Sequence, residues 1–221
     1  MEKTTSLGIF WACPVCGFRY VEAPVAGQRG QICPRCGASA RVVAQVPALS
    51  EEASPLPAPP PPALSLAVLL DNIRSAYNVG AAFRAADGAG VSKLYLGGIT
   101  PKPTHRQVAK TALGAERHVP WEAVPNGPRM AAALQAAGWT VWALEATPRA
   151  QWLTAALPTP RPQRLLLVVG NEVAGVDPAL LDLADAVVAL PMWGYKRSLN
   201  VATALTAALY VLRLSDNHGK A

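Results

Sequence analysis

The sequence predicts an α/β domain built on one parallel sheet, preceded by a small metal-stapled module. Three observations carry this prediction. Residues 64–214 alternate short apolar runs with helical stretches in a strand–helix order. Runs such as LLLVV at 165–169 are apolar without interruption, as strands covered on both faces of a parallel sheet must be. All four cysteines fall between Cys13 and Cys36, in two Cys-Pro-x-Cys-Gly units.

The chain's 221 residues, 51% of them hydrophobic, suffice for one sizeable core and a smaller appendage. Of its net charge of +6, both prospective ordered parts take a share: residues 1–46 hold five Lys/Arg against two acids, and residues 64–221 fifteen against ten. That balance favours a polyanionic partner. No apolar run reaches the roughly 18 residues of a membrane span, and no basic-then-apolar leader opens the chain. The expected setting is cytoplasmic, with no membrane partner, and there paired cysteines are metal ligands before they are disulfides.

Residues 1–43 form the first module. Cys13 and Cys16, then sixteen residues, then Cys33 and Cys36 make two knuckles that aim four thiolates at one point. A module this small cannot bury a sufficient core, so metal binding supplies most of its folding energy. The pattern resembles zinc ribbons and implies a structural Zn2+. Arg19, Tyr20, Arg29, Gln31 and Arg35 offer cations and an aromatic ring to RNA, although a solvated surface accounts for them about as well. Residues 44–63 hold seven of the chain's 21 prolines. Such a stretch is an extended, semi-rigid spacer, reaching up to roughly 60 Å at about 3.1 Å per residue.

The α/β domain, residues 64–221, then follows in order. Strands are expected at 66–70, 93–96, 141–145, 164–169 and 186–190, with a weaker one near 118–123. Helices are expected at 79–88, 104–113, 129–137, 178–183 and 199–214.

Polar groups interrupt this apolar domain at the ends of three strands, where open α/β sheets place their ligands. In DNIRSAYNVGAAFRAADGAGV (71–91), Asn78 precedes Arg84 by six residues, about 120° around a helix, so the two share a site most easily if Asn78 lies in the loop or cap. Taken alone, Arg84 reads more readily as a surface cation reaching solvent. In LLLVVGNEVAGVD (165–177), Gly170 permits a sharp turn, after which Asn171 and Glu172 project at the strand end. In LPMWGYKRSLN (190–200), Lys196 and Arg197 lead to Ser198 and Asn200 at the mouth of an apolar helix, both good N-cap residues.

Together Asn78 with Arg84, Gly170-Asn171-Glu172, and Leu190-Pro191-Met192 with Ser198-Leu199-Asn200 resemble motifs 1, 2 and 3 of the TrmH (SpoU) branch of the SPOUT methyltransferases. They stand in the family's order and local spacing, over about residues 64–214. The resemblance implies methyl transfer from S-adenosylmethionine to a ribose 2′-hydroxyl of tRNA or rRNA. It implies a SPOUT-type parallel sheet whose C-terminal segment forms a deep trefoil knot, and a homodimer in which each site borrows residues from the partner. It assigns Arg84, Glu172, Ser198 and Asn200 to catalysis, with Asn78 in support. Cofactor binding falls to Leu144, Gly170, Leu190, Met192 and Leu199. Within that scheme a guanidinium stays protonated, so Arg84 is expected to grip the target's 3′-phosphate and stabilise the developing alkoxide. Ser198 and Asn200 orient Arg84 and the ribose, while Glu172 holds Asn200 or the arginine. His105, Arg106, Lys110, Arg117 and His118 add charge near the expected RNA face, or simply flank a solvated helix. The tethered ribbon stands where tRNA-specific relatives carry basic terminal extensions, which leaves the RNA open.

Two other functions compete with this one. A dinucleotide-dependent oxidoreductase needs G-x-G-x-x-G after the first strand, where this chain has DNIRSAYNVG. A non-catalytic SPOUT-like module, binding RNA or protein and recruited by its ribbon, is opposed by the complete set of motif residues.

Overall fold

The computed structural model describes residues 7–22, 31–47, 59–156 and 162–216. The chain divides into two compact units, Met1–Pro60 and Pro61–Ala221.

The first unit is a three-stranded antiparallel sheet in the order β2-β1-β3, with β1 (Leu7–Ala12), β2 (Arg19–Glu22) and β3 (Arg41–Pro47). The last four residues of β3, 44–47, belong to the stretch read from its prolines as spacer. They pair with β1, Val46 opposite Gly8 and Pro47 opposite Leu7, so backbone pairing overrides a composition signal there. Arg29 and residues 48–58 of the expected spacer lie outside the described residues.

The second unit carries a seven-stranded, wholly parallel sheet. Its strands are β4 (Ser65–Asp71), β5 (Lys93–Gly97), β6 (Trp121–Val124), β7 (Thr140–Leu144), β8 (Gln151–Trp152), β9 (Arg164–Val169) and β10 (Ala186–Ala189). Their order is β6-β5-β4-β9-β7-β10-β8. The helices are α1 (Ala76–Gly88), α2 (Arg106–Ala112), α3 (Gly127–Ala136), α4 (Pro178–Leu183) and α5 (Val201–Asp216).

Alternation along the strands builds two cores. Leu66, Val68 and Leu70 of β4, with Leu165, Leu167 and Val169 of β9, pack against Val79 and Phe83 of α1, Val108 of α2, and Leu205 and Leu209 of α5. Ala67 and Leu69, with Leu166 and Val168, face Ala131 of α3 and Leu180 of α4. The central strands are therefore buried on both faces, which explains their unbroken apolar runs. Three side-chain bonds from Arg213, to the carbonyls of Leu64, Ala89 and Gly90, tie the end of α5 to the start of the unit.

All six expected strands and five expected helices are present, β9 and α4 with the expected bounds and the others with shifted ends. Helix α1 starts at Ala76, because Ser75 caps it by accepting the Asn78 N–H. Strand β8 was not anticipated: two residues carry no periodicity. From β4 the chain builds outward through β5 to β6, then crosses to lay β7, β8, β9 and β10 on the other side of β4, with β9 next to it. The strand order thus reverses between β4 and β9, and open α/β sheets bind ligands at such a reversal, beyond the strands' carboxyl ends.

Candidate active site

The loop after β4 opens with a backbone reversal. Asn72 takes a left-handed conformation, φ 54°, which Asn tolerates better than most residues. Its side chain donates to Asp71 Oδ1 at 3.0 Å and accepts the Ile99 N–H at 3.3 Å. Its carbonyl accepts from Asn171 Nδ2 at 2.6 Å, joining this loop to the one after β9. Asp71 is buried, and burial pushes its carboxyl up against the opposing pull of the Asn72 donor.

Gly170 begins the loop after β9. A Cβ there would fall inside the backbone of Gly175 and Val176, so only glycine allows the loop to fold back on itself. The fold-back is closed by reciprocal backbone bonds between Asn171 and Gly175, each 2.9 Å. It aims Glu172 at the start of α1. One carboxylate oxygen accepts the Arg74 N–H at 2.9 Å; the other accepts the Ser75 N–H at 3.0 Å and Asn78 Nδ2 at 2.9 Å. An anion at a helix N-terminus is held by just such orphan donors. Burial acts to raise the Glu172 carboxyl, but the donors from Arg74, Asn78 and Ser75 outweigh it and hold the group below its ordinary value.

Asn78 passes the connection on. Its Oδ1 accepts from Asn200 Nδ2 at 3.0 Å, while Asn200 Oδ1 caps α5 by accepting the N–H groups of Ala202 and Thr203 at 2.9 and 3.3 Å. The line Glu172–Asn78–Asn200 therefore joins the segments after β4, β9 and β10. Asn78 occupies the first turn of α1, not the preceding loop or cap, and Glu172 reaches Asn200 only through it.

Beside this line lies a cavity of about 450 Å3, within the usual range of small-molecule sites. All five residues expected to bind a cofactor, Leu144, Gly170, Leu190, Met192 and Leu199, line it. Glu172, Ser198 and Asn200 line it as well. An adjoining cavity of about 860 Å3 shares Leu190, Met192 and Arg197, and adds Trp152, Tyr195 and Lys196.

Two expected residues make no hydrogen bond within the site. Arg84 is exposed, about 9 Å along α1 from Asn78, and makes no hydrogen bond or ion pair with a described residue. Ser198 lines the cavity without a hydrogen bond to any described residue.

Glu145 was missed by the sequence reading. Its carboxylate accepts the Val176 N–H at 3.0 Å, fastening the β9 loop to the end of β7, and it lines the cavity. The signal was available: a carboxylate at the end of a buried strand, the argument applied to Glu172.

In the other unit the four cysteine sulfurs lie within 4.8 Å of one another. The knuckles match bond for bond. Cys13 N–H reaches the Phe18 carbonyl and Cys33 N–H the Ala38 carbonyl, each at 2.8 Å, with Gly17 and Gly37 at φ 72° and 73°. Sulfur separations of 3.5 Å for Cys13–Cys36 and 3.7 Å for Cys16–Cys33 are close to the edge of a tetrahedron with bonds of about 2.3 Å, roughly 3.8 Å. They are far beyond a disulfide's roughly 2.05 Å. Within the Cys13–Cys36 pair the shifts oppose: the Cys16 backbone N–H leads in pulling the Cys13 thiol down to about 6, while the Cys36 thiol, against the pull of the Ala38 backbone, is pushed up to about 12 by Cys13 beside it.

Residues 65–210 match the model of the SpoU rRNA methylase family. The chain is similar to the 23S rRNA (guanosine(2553)-2′-O)-methyltransferase RlmP of Bacillus subtilis, 33% identical over 146 residues, which is 66% of this chain and 57% of that protein. It is 30% identical over 148 residues to the tRNA (guanosine(18)-2′-O)-methyltransferase of Aquifex aeolicus, covering 66% and 67% of the two chains. Its fold is similar to the AdoMet-bound rRNA methyltransferase of Sinorhizobium meliloti, with a TM-score of 0.63 and 28% identity over 68% of this chain and 56% of that one. The chain thus spans little more than half the length of several of the curated relatives it matches.

Proposed function

The chain belongs to the SpoU rRNA methylase family, and on that premise we propose that it transfers a methyl group from S-adenosylmethionine to a ribose 2′-hydroxyl of rRNA or tRNA. One observation carries the reading: side chains from the segments after β4, β9 and β10 converge beside one cavity, at the strand-order reversal, on the positions that motifs 1 to 3 specify. Leu144, Gly170, Leu190, Met192 and Leu199 hold the cofactor there, with residues 190–200 and α5 threaded as a trefoil knot. The cofactor supplies a methyl group on a sulfonium that departs without protonation.

The chain's own residues align the ribose and manage its proton. Glu172 is a positioning residue rather than the base: its carboxyl is held low and its oxygens are occupied by three donors. It fixes the first turn of α1 and, through Asn78, the amide of Asn200. Asn200 and Ser198 present polar groups to the ribose at the cavity mouth. Arg84, free of described partners and always protonated, grips the phosphate 3′ to the target and stabilises the alkoxide as the proton leaves to that phosphate or to water. Lys196, Arg197 and the exposed rings of Trp152 and Tyr195 suit an RNA strand beside the cofactor.

The cysteine cluster holds a structural Zn2+, for which its sulfur geometry is suited. Cysteines grouped as metal ligands rather than joined as disulfides fit a reducing cytoplasm, and among the described residues no helix is long and apolar enough to cross a membrane. The protein works as a homodimer, supported by the exposed rings of Tyr77 on α1 and Tyr210 on α5.

Calorimetric titration with S-adenosylmethionine tests the site. Saturable binding by the wild type, abolished by Leu199→Arg, is expected, together with 2′-O-methylnucleosides in rRNA or tRNA incubated with enzyme and labelled cofactor. A folded protein that binds no cofactor overturns the reading.

A further inference from the structure

The sheet of the small unit carries a row of side chains that methyl transfer at the cavity leaves unused. In the β1–β2 register Ala12 is opposite Arg19, and in the β1–β3 register the same Ala12 is opposite Arg41. Directly opposed residues of antiparallel strands share a face, so two arginines flank one alanine methyl on the same side of the sheet. The adjacent row on that face is Val21, Phe10 and Ala44. Both arginines are exposed, and the Arg19 guanidinium carbon lies 6.0 Å from the centre of the half-buried Phe10 ring.

By backbone register Glu22 pairs with Ile9, one position out of phase with Phe10, so its place in the strand falls on the opposite side of the sheet with Trp11 and Tyr20. Tyr20, which the sequence left open between an RNA contact and a solvated surface, donates its hydroxyl to the Ile32 carbonyl. The described part of the Arg19–Arg41 face thus holds two cations, an aromatic ring and no carboxylate. No ion pair joins either arginine to a described acid. Two guanidiniums with no described acid beside them, set across one small side chain, call for an anion that both can share. A ring beside them calls for a flat apolar partner.

The geometry points to this face as a platform for single-stranded RNA, Arg19 and Arg41 binding backbone phosphates and Phe10 stacking on a base. A strand of phosphates satisfies both guanidiniums, and its bases supply the flat partner. An acidic polypeptide satisfies the arginines alone. The inference rests on the RNA reading above and gives the ribbon its part in it, the grip on an unpaired stretch of the RNA.

The test uses the full-length, zinc-loaded protein and a fluorescent single-stranded oligouridylate, with anisotropy followed across a salt series. Arg19→Ala/Arg41→Ala is expected to weaken binding about tenfold or more. It should also flatten the plot of log affinity against log salt by about 1.4, the effect of two lost phosphate contacts on a single strand. Phe10→Leu should weaken binding at least about fivefold at every salt concentration with its slope unchanged. Zinc content and S-adenosylmethionine affinity, measured alongside, should match the wild type in each variant. Wild-type affinity and slope in the double variant overturn the proposal, as does a double variant that loses only binding to polyglutamate. Methyl transfer that persists while the arginines have no effect on oligouridylate binding sinks this face alone. Arginine-dependent binding without methyl transfer sinks the enzyme reading alone.

Discussion

Asn200 donates its side-chain amide to Asn78 Oδ1 at 3.0 Å, across 122 positions of chain, while its own oxygen caps α5. One side chain therefore builds the site and starts the helix, and substitution can separate the two roles. Asn200→Asp retains the capping oxygen but loses the donor, and sets an anion against Asn78 Oδ1 near Glu172. Asn200→Ala loses both. The alanine variant should lose about 1 kcal/mol of stability, and the aspartate variant distinctly less. Methyl transfer should fall on the order of 100-fold in both, as misplaced reacting groups do. Thermal denaturation beside a turnover assay checks this; normal turnover in Asn200→Asp would remove the Asn78 bridge from the mechanism.

Glu172 makes a pH-dependent contribution whose sign follows from its shifted carboxyl. Burial raises that carboxyl, yet the donors from Arg74, Asn78 and Ser75 leave it below the ordinary 4.5. Its stabilising effect is therefore complete above pH 4.5 and is lost as pH falls through the lower folded-state value. Glu172→Gln cannot titrate and presents only one acceptor oxygen to the donors. The variant should be less stable than wild type by about 1 kcal/mol at neutral pH, a modest figure for an exposed group. The gap should close progressively below pH 4.5. Denaturant melts of both proteins from pH 7 to pH 3 measure it, and a gap independent of pH would contradict the role assigned to the carboxylate.

The sequence was most legible where one physical demand dominates. Strands β4 and β9 are buried on both faces and can be written only in apolar residues, so they read clearly. The two knuckles read clearly because four thiolates around one point require that spacing. Where tertiary contacts compete with local preference, legibility fell. Tyr77 and Asn78 are indifferent helix formers, which moved the expected start of α1 to residue 79. Ser75 and Glu172 instead secure the first turn from residue 76. The partnership of Glu172 with Arg74, 98 positions away, depends on β9 lying beside β4. Strand order leaves no local mark on composition, so only the resemblance to a family brought Glu172 and Asn78 together beforehand, and nothing paired Glu172 with Arg74.

Removal of the metal should separate the two units. Among the described residues of the first unit Cys13 and Cys33 are the buried apolar ones, whereas the parallel sheet has a core on both faces. Chelation is expected to unfold the first unit and leave the second intact. Limited proteolysis should then cut within residues 7–47, while S-adenosylmethionine affinity stays within about twofold of the metal-loaded protein. Loss of cofactor binding on chelation would show that the second unit depends on the first.

Arg84 offers the sharpest division between stability and chemistry. It is exposed on α1 and holds no described residue, so replacing it should shift stability by no more than about 0.5 kcal/mol. Its cofactor affinity should also match wild type, since Arg84 does not line the cavity. The proposed task needs a planar fork that can reach two oxygens at once, one on the phosphate and one on the developing alkoxide, and an ammonium group lacks that shape. Arg84→Lys should therefore bind S-adenosylmethionine normally and unfold normally, yet lose roughly 10- to 100-fold in methyl transfer. Arg84→Ala should lose more. Calorimetry, thermal melts and single-turnover methylation on one preparation test all three expectations. Near-normal turnover by Arg84→Lys would show that charge alone suffices and would refute the need for the guanidinium.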